Sequence, residues 1–201
     1  MAPAPVVEIA HGRFRAGVAP ALGGALAFFG SVRDGRTVDW LRPMPADAAS
    51  PLEAASFPMV PFFSWLADDT LTLGDRRIPL PPSGYGFSHA LHGFGWTSAW
   101  EVDARGPGII VLVHRSTDGP WPWPYTARQR VALDDGGLSL TLAVTNDGGS
   151  PMPAGLGLHP FFLRGEGLRV AAATRAMHLM SAAGLPCAAD PANPAVAALA
   201  R

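Results

Sequence analysis

The sequence predicts an all-β protein made of short antiparallel hairpins. Its 201 residues include 23 glycines and 21 prolines, scattered without a repeating period, and this frequency of turn formers is typical of many short elements. Several segments alternate apolar and polar residues with a period of two, as half-buried strands do. Helix signals are poor, because the one candidate, residues 46–56, is interrupted by Pro51.

Four hairpins are predicted along the chain. Each joins two strand-like runs through a turn that contains glycine, and Asp34-Gly35 is a dipeptide that suits a tight turn. The pattern is clearest in the last hairpin, where Leu138, Leu140, Leu142 and Val144 alternate with polar or small residues. The predicted turns lie at 33–36, 74–75, 105–108 and 134–137.

These runs predict one antiparallel β domain over residues 5–180, followed by a poorly specified tail over residues 181–201. The tail is rich in alanine and proline and shows no alternation. Residues 119–125 hold three prolines between aromatic residues, which predicts an irregular loop.

Charge and cysteine content exclude several classes of function. The 15 basic residues, all arginine, nearly balance 16 acidic ones and form no basic block, so nucleic-acid binding through a cationic face is disfavoured. The single cysteine, Cys187, excludes an internal disulfide and fits a reducing compartment. The first ten residues lack a secretory signal and no apolar stretch could span a bilayer, so a cytoplasmic protein without a membrane partner is expected.

Two histidines are the candidates for acid–base chemistry. His92 is followed by Gly93, which lets a ligand or another backbone approach closely. His159 precedes Pro160, which biases it toward extended geometry and holds it rigidly. A rigid imidazole that titrates near neutral pH suits general acid–base catalysis. The alternative is that both are satisfied core histidines.

Other motifs give weaker signals. His89 and His92 have a spacing that zinc sites use, but residues three apart in a strand face opposite sides and no cysteine or glutamate lies near in sequence. Asp68 and Asp69 are expected to form a turn. The sequence contains no Gly-x-Ser-x-Gly elbow and no phosphate-binding loop. We therefore predict neither a metal nor a cofactor.

Four segments together resemble the aldose 1-epimerase (galactose mutarotase-like) family. Each is weak alone, but they follow the family's order from about residue 15 to about residue 184. The segments are Ala19–Leu26, Phe57–Phe62, His89–Phe94 and Gly155–Phe162.

The resemblance implies an antiparallel β-supersandwich with a sugar-binding cleft. It also implies an isomerase that exchanges the α and β anomers of a free aldose, such as a hexose, without cofactor or metal. His159 would be the acid that protonates the ring oxygen, and His92 would bind and orient the sugar. A monomer is expected.

Two departures from the family pattern affect these expectations. The family's Asn-Arg pair falls on Ser64 and Trp65, which are therefore the other candidate substrate-binding residues; Trp65 offers an indole with one donor in place of a guanidinium. The family's catalytic Glu falls in a C-terminal region beyond Arg201. We therefore expect an incomplete sandwich and a fragment or degenerate member of low activity, with Glu166 the nearest substitute for that base.

Three alternatives stay open. The first is a non-catalytic carbohydrate-binding β-sandwich that keeps the histidines and tryptophans. The second is an epimerase-like protein acting on hexose phosphates, which the absence of an arginine at Trp65 disfavours. The third is a purely structural β module.

Overall fold

The chain folds into antiparallel β-sheets. A computed structural model describes residues 4–87, 89–182 and 185–199, which divide into two compact units, residues 1–163 and 164–201. The strands of the first unit are β1 Val7–His11, β2 Phe14–Ala19, β3 Ala25–Arg33, β4 Arg36–Asp39, β5 Ser56–Met59, β6 Thr70–Leu73, β7 Arg76–Pro79, β8 Glu101–Gly106, β9 Ile109–Ser116, β10 Tyr125–Asp134, β11 Gly137–Asn146 and β12 Gly157–Pro160.

Two larger sheets and one hairpin form the first unit. The first sheet has the order β1-β2-β3-β5-β12, with β4 also paired to β3, and the second has the order β11-β10-β9-β8. Strands β6 and β7 make a separate hairpin. Three short 3₁₀ turns, at Pro51–Glu53, Ala67–Asp69 and Gly95–Thr97, connect these strands.

The two larger sheets share one apolar core. Inward-facing residues of the first sheet and of the second sheet belong to the same buried cluster, which removes their apolar surface from water. Gln129, buried on β10, donates from Nε2 to the Gly24 carbonyl at 2.7 Å and so links the second sheet to the turn before β3. The first sheet contributes Ile9, Phe14, Ala16, Val18 and Leu26 to this core, and the second sheet contributes Ile110, Leu112, Val131 and Leu133.

The antiparallel all-β prediction is confirmed, and all four predicted hairpins form. Strand pairs β3–β4, β6–β7, β8–β9 and β10–β11 turn at the predicted glycine-containing positions. Asp34 and Gly35 both have positive φ, 51° and 72°, as a tight turn between twisted strands requires. Pro51 opens a 3₁₀ turn behind a Ser50 capping box, so the interrupted helix of residues 46–56 is replaced by a single turn.

The second unit carries a strand and a helix in the tail, 181–201, for which the sequence indicated no regular structure. Strands β13 (Met177–Met180) and β14 (Pro186–Asp190) form a hairpin, and the helix α1 covers Pro194–Leu199. Asp190 and Asn193 side chains cap the turn that leads into the helix by accepting from backbone N–H groups of residues 192 and 195. The predicted division of the chain at residue 180 stays a prediction. No helix within residues 4–87, 89–182 and 185–199 is long and apolar enough to cross a bilayer.

Candidate active site

His92 and His159, which lie 67 positions apart in sequence, meet in the first unit. Their ring centroids are 5.5 Å apart and their planes are inclined by 69°. Both side chains are half-buried, so each imidazole has a face or an edge that solvent can reach. The fold therefore brings the two predicted histidines into one group.

The register of β5 and β12 places His159. His159 pairs directly with Phe57 across the two strands, and the two rings stack with centroids 4.7 Å apart and planes inclined by 14°. Phe161 packs on His159 as well, at 4.8 Å. The Phe57 and Phe161 centroids are themselves 6.1 Å apart, so the three rings form one cluster that fixes the plane of the imidazole.

The nitrogens of His159 differ in their surroundings. Nδ1 is buried and has no hydrogen-bond partner among the described residues. The Nε2 edge is therefore the one that is left to meet a substrate. Because no described protein group fixes the tautomer through Nδ1, the ring is free to carry a proton on Nε2.

His92 lies in a turn in which most of the backbone N–H groups are hydrogen-bonded. The N–H groups of Ala90, Leu91 and His92 donate to the Asp69 carboxylate, the Ser83 hydroxyl and the Ser64 carbonyl, at 2.6, 2.7 and 3.0 Å. The Trp96 indole N–H donates to the carbonyls on both sides of His92, those of Leu91 and Gly93. This network holds His92 at φ 59°, a left-handed conformation that costs free energy in a non-glycine residue.

Gly93 lets this turn lie against β5. Its φ is 74°, and the Val60 carbonyl next to it accepts the N–H groups of both Phe94 and Gly95, at 3.0 and 2.9 Å. A Cβ at position 93 would overlap that carbonyl and would lie 2.7 Å from Pro61 N. The sequence predicted that a glycine beside His92 lets another backbone approach closely. The structure shows this approach at Val60.

Ser64 fixes the tautomer of His92. The Ser64 N–H donates to His92 Nδ1 at 3.0 Å, while the His92 N–H donates to the Ser64 carbonyl. A nitrogen that accepts carries no proton, so the proton of the neutral ring is on Nε2. His92 can therefore donate a hydrogen bond from Nε2 to a ligand oxygen.

His92 is a neutral donor across the physiological range. Burial, and to a smaller extent the neighbouring His159 imidazole, together lower its pKa from 6.5 to about 4, since two imidazolium ions in contact would repel each other. The chemistry that this allows is hydrogen-bond donation and orientation rather than proton transfer from an imidazolium.

This pKa shift predicts a pH-dependent stability that His92→Asn should reduce. Because the folded pKa lies below that of the unfolded chain, lowering the pH from 6.5 to 4 protonates His92 in the unfolded chain first, and the free energy of unfolding falls. Asn offers an oxygen to the Ser64 N–H but does not titrate. The Tm of the variant should therefore decrease less between pH 7 and pH 4.5 than the Tm of wild type.

Thermal melts followed by circular dichroism at several pH values measure this difference. His114, whose pKa burial also lowers, contributes equally in both proteins, so only the difference between them reports His92. Equal losses of Tm in the two proteins would contradict the shift at His92.

The other predicted substrate-binding residue, Trp65, lies next to Ser64 on the rim of this group. Trp65 is 37% exposed and its backbone bridges to Leu91 in an antiparallel pair. Its indole contacts Phe87 edge-on at 6.5 Å and His89 at 5.5 Å. Ser64 contributes through its backbone, as described above.

The remaining candidates lie in turns and carry no prediction of acid–base chemistry that the structure tests. Asp68 and Asp69 lie in a 3₁₀ turn with positive φ, as the expectation of a turn implies. Glu166 lies in an exposed turn of the second unit, and its role as a substitute base stays a prediction. Within the described parts of the chain no three His, Cys, Asp or Glu side chains are placed to hold a metal ion.

Two aromatic residues at the centre of the site were not singled out as site residues from the sequence. Phe57 stacks on His159 and Trp96, and Trp96 is fully buried and bonds the His92 turn. The sequence carried a signal for Phe57, because it lies in one of the four family-like segments, but nothing in the sequence alone indicates that it pairs with His159.

Comparison with known proteins identifies the family. A model of the aldose 1-epimerase family matches residues 5–189, nearly the whole chain, and this chain belongs to that family. The predicted fold is confirmed as galactose mutarotase-like by two solved structures. One is a protein of Escherichia coli K12 provisionally named an aldose 1-epimerase, with a TM-score of 0.86, 27% identity, and coverage of 98% of this chain and 65% of that one.

One further solved structure shares the fold, and one further protein is similar in sequence. A galactose mutarotase-like protein of Clostridium acetobutylicum has a TM-score of 0.79 at 21% identity, over 92% of this chain and 61% of that one. The uncharacterized protein YphB of Escherichia coli K12 is 32% identical over 110 residues, which are 55% of this chain and 37% of YphB. This chain thus spans about two thirds or less of the length of the relatives it matches.

Proposed function

We propose that this chain binds a free aldose and assists the exchange of its α and β anomers, as a member of the aldose 1-epimerase family. The single observation that carries the proposal is the group of His92 and His159, with rings 5.5 Å apart and different hydrogen-bond surroundings. One imidazole is a fixed neutral donor and the other has a free Nε2 edge, which is a division of roles that ring opening needs.

In the proposed reaction His159, as the imidazolium ion, gives its Nε2 proton to the ring oxygen O5 as the C1–O5 bond breaks. The C1 hydroxyl loses its proton to a base, and its electrons form the C1=O1 double bond of the open aldehyde. Rotation about C1–C2 is followed by closure, in which O5 attacks C1 and returns its proton to His159 while the base returns a proton to O1, and the other anomer is produced. His92 would donate from Nε2 to a sugar oxygen and hold the ring in place.

The proposed reaction also needs a base that accepts the proton of the C1 hydroxyl. No carboxylate in the described residues forms a hydrogen bond or an ion pair with either imidazole. In the family that the chain resembles, the base is a Glu. In the reaction proposed for the described residues, a water molecule accepts this proton.

The test is polarimetry of freshly dissolved α-D-glucose and α-D-galactose. The chain should bring the optical rotation to equilibrium faster than buffer of the same composition, with a dependence on protein concentration. A rate that equals the buffer rate at every protein concentration would exclude mutarotase activity for this chain.

A second candidate function is carbohydrate binding without catalysis. The observation that favours it is the same lack of a carboxylate beside His92 and His159 among the described residues. In that case a sugar changes the tryptophan fluorescence, since the ring centroids of Trp96 and His92 are 6.4 Å apart. The anomers, however, exchange no faster than in buffer. Measuring both signals on one sample distinguishes the two functions.

A further inference from the structure

The two edge strands of the second sheet differ in how they are protected. β8, at one edge, has six residues, of which Glu101, Asp103 and Arg105 are charged, and its pairing with β9 shifts register between Val102 and Ala104. Charges and bulges of this kind keep an edge strand from pairing with another chain. β11, at the other edge, has ten residues without a charge, a proline or a register shift. The β11 edge therefore lacks these protective features.

The register of the β10–β11 hairpin shows which backbone groups of β11 point outward. In an antiparallel ladder, pairs of residues that exchange hydrogen bonds alternate with pairs that do not. The Leu133 N–H donates to the Gly108 carbonyl at 2.7 Å, on the β9 side, so the pair of Leu133 and Leu138 is of the second kind. The N–H and C=O groups of Leu138 and of every second residue after it therefore point away from β10. Within the described part of the chain these groups have no hydrogen-bond partner; they belong to Leu138, Leu140, Leu142 and Val144.

The side chains of β11 alternate between an apolar face and a face of small residues. The apolar face packs against the core but is only half-buried, and its members are Leu138, Leu140, Leu142 and Val144. The other face is exposed and consists of Ser139, Thr141, Ala143 and Thr145. Two copies of such a strand, placed antiparallel, bring apolar residues opposite apolar ones and put no like charges opposite each other.

We propose that β11 pairs with β11 of a second copy of this chain, antiparallel and across a twofold axis at Thr141, so that the two four-stranded sheets become one continuous sheet. In this register the outward-pointing groups of both strands all meet, with Leu138 opposite Val144 and Leu140 opposite Leu142 of the second copy. Thr141 then faces Thr141 of the second copy in a pair without hydrogen bonds. A shift of two residues in either direction leaves some of these groups unpaired. The dimer replaces the monomer that the sequence predicts.

A second copy fits this edge better than a peptide of another protein does. A peptide that adds to a sheet edge gains its specificity from pockets for alternate side chains, and the exposed face of β11 offers only small residues. In the self-paired strand, the half-buried leucines of the two copies become neighbours and remove more apolar surface from water. Twofold pairing also uses the same surface on both partners, which is the commonest symmetry of soluble oligomers. The inference does not depend on the proposed sugar chemistry.

Disulfide trapping tests the register. In a Cys187→Ala background, which removes the exposed native thiol, mild oxidation should link most Thr141→Cys chains into dimers. The reason is that Cα atoms of a pair without hydrogen bonds lie about 4.5 Å apart, within the reach of a disulfide. Ala143→Cys is the matched control, because residue 143 faces residue 139 of the second copy. The two residues 143 are then about 13 Å apart along the strands, which is too far for a disulfide.

Sedimentation velocity measures the association in solution. Wild type should form dimers whose fraction grows with protein concentration. Thr141→Lys should raise the Kd of the dimer about tenfold or more, because it places like charges directly opposite each other. Thr37→Lys, at an exposed threonine of β4 in the other sheet, should leave the Kd unchanged. Circular dichroism checks that each variant is folded.

The outcomes decide between a defined β11 dimer and its alternatives. Trapping of Thr141→Cys but not of Ala143→Cys, together with weaker association of Thr141→Lys, supports the proposal. It is overturned by a wild type that sediments as a single chain at every concentration, by trapping of Thr141→Cys that does not exceed that of Ala143→Cys, or by a dimer that Thr141→Lys leaves unchanged. Larger aggregates in place of a dimer also overturn it, since they show an edge that pairs without a defined register.

Discussion

His159→Phe should abolish the acceleration of mutarotation while the fold is retained. The new phenyl ring keeps the contacts with Phe57 and Phe161, whose centroids lie 4.7 and 4.8 Å from the imidazole centroid. The buried Nδ1 has no described partner, so its replacement by carbon breaks no hydrogen bond within that part of the chain. The variant does lose the proton on Nε2, which is the proposed acid.

The expected loss is the contribution of a positioned general acid, roughly 10²–10⁴-fold in rate. Polarimetry on glucose measures the loss, and a thermal melt of the variant shows that the Tm is kept. The fluorescence response to sugar should persist, because His92 and Trp65 are unchanged. A variant that folds and equilibrates glucose at the wild-type rate would remove His159 from the mechanism.

Gly93→Ala should cause a large loss of stability. The new Cβ would overlap the Val60 carbonyl, which is backbone and already accepts two N–H groups. The residue also has φ 74°, which disfavours any side chain. Together these effects are expected to cost on the order of 4 kcal/mol, the level reached when a substitution forces packed backbone apart.

Gly35→Ala is the matched control for this substitution. Gly35 has nearly the same φ, 72°, but a Cβ there would meet nothing within 4 Å. The control should therefore cost only the conformational penalty, about 1 kcal/mol. Urea denaturation gives both values, and a loss for Gly93→Ala no larger than that of Gly35→Ala would show that the His92 turn moves freely away from Val60.

The hairpins could be predicted from the sequence because their signals are local. Asp34-Gly35, and the alternation from Leu138 to Val144, each specify a turn or a strand within a few residues. The two histidines could be selected for the same reason, since Gly93 and Pro160 are their immediate neighbours. These features need no knowledge of the rest of the chain.

The parts that could not be predicted depend on long-range pairing. That Phe57 lies opposite His159 follows from the register of β5 with β12, which are separated by about a hundred residues. The link between Asp69 and the Ala90 N–H, and the left-handed conformation of His92, likewise arise only when distant segments meet. A turn at Asp68 and Asp69 was foreseeable; its use as an anchor for another loop was not.

The hydrogen bonds that hold the His92 turn have a consequence for engineering. They run from backbone groups of residues 90–95 to Ser83, Ser64, Val60 and the Asp69 carboxylate, and none of them uses the side chain of Trp65 or His89. A combinatorial library at these two positions should therefore yield folded proteins, because the hydrogen bonds that hold the turn do not involve either of these side chains.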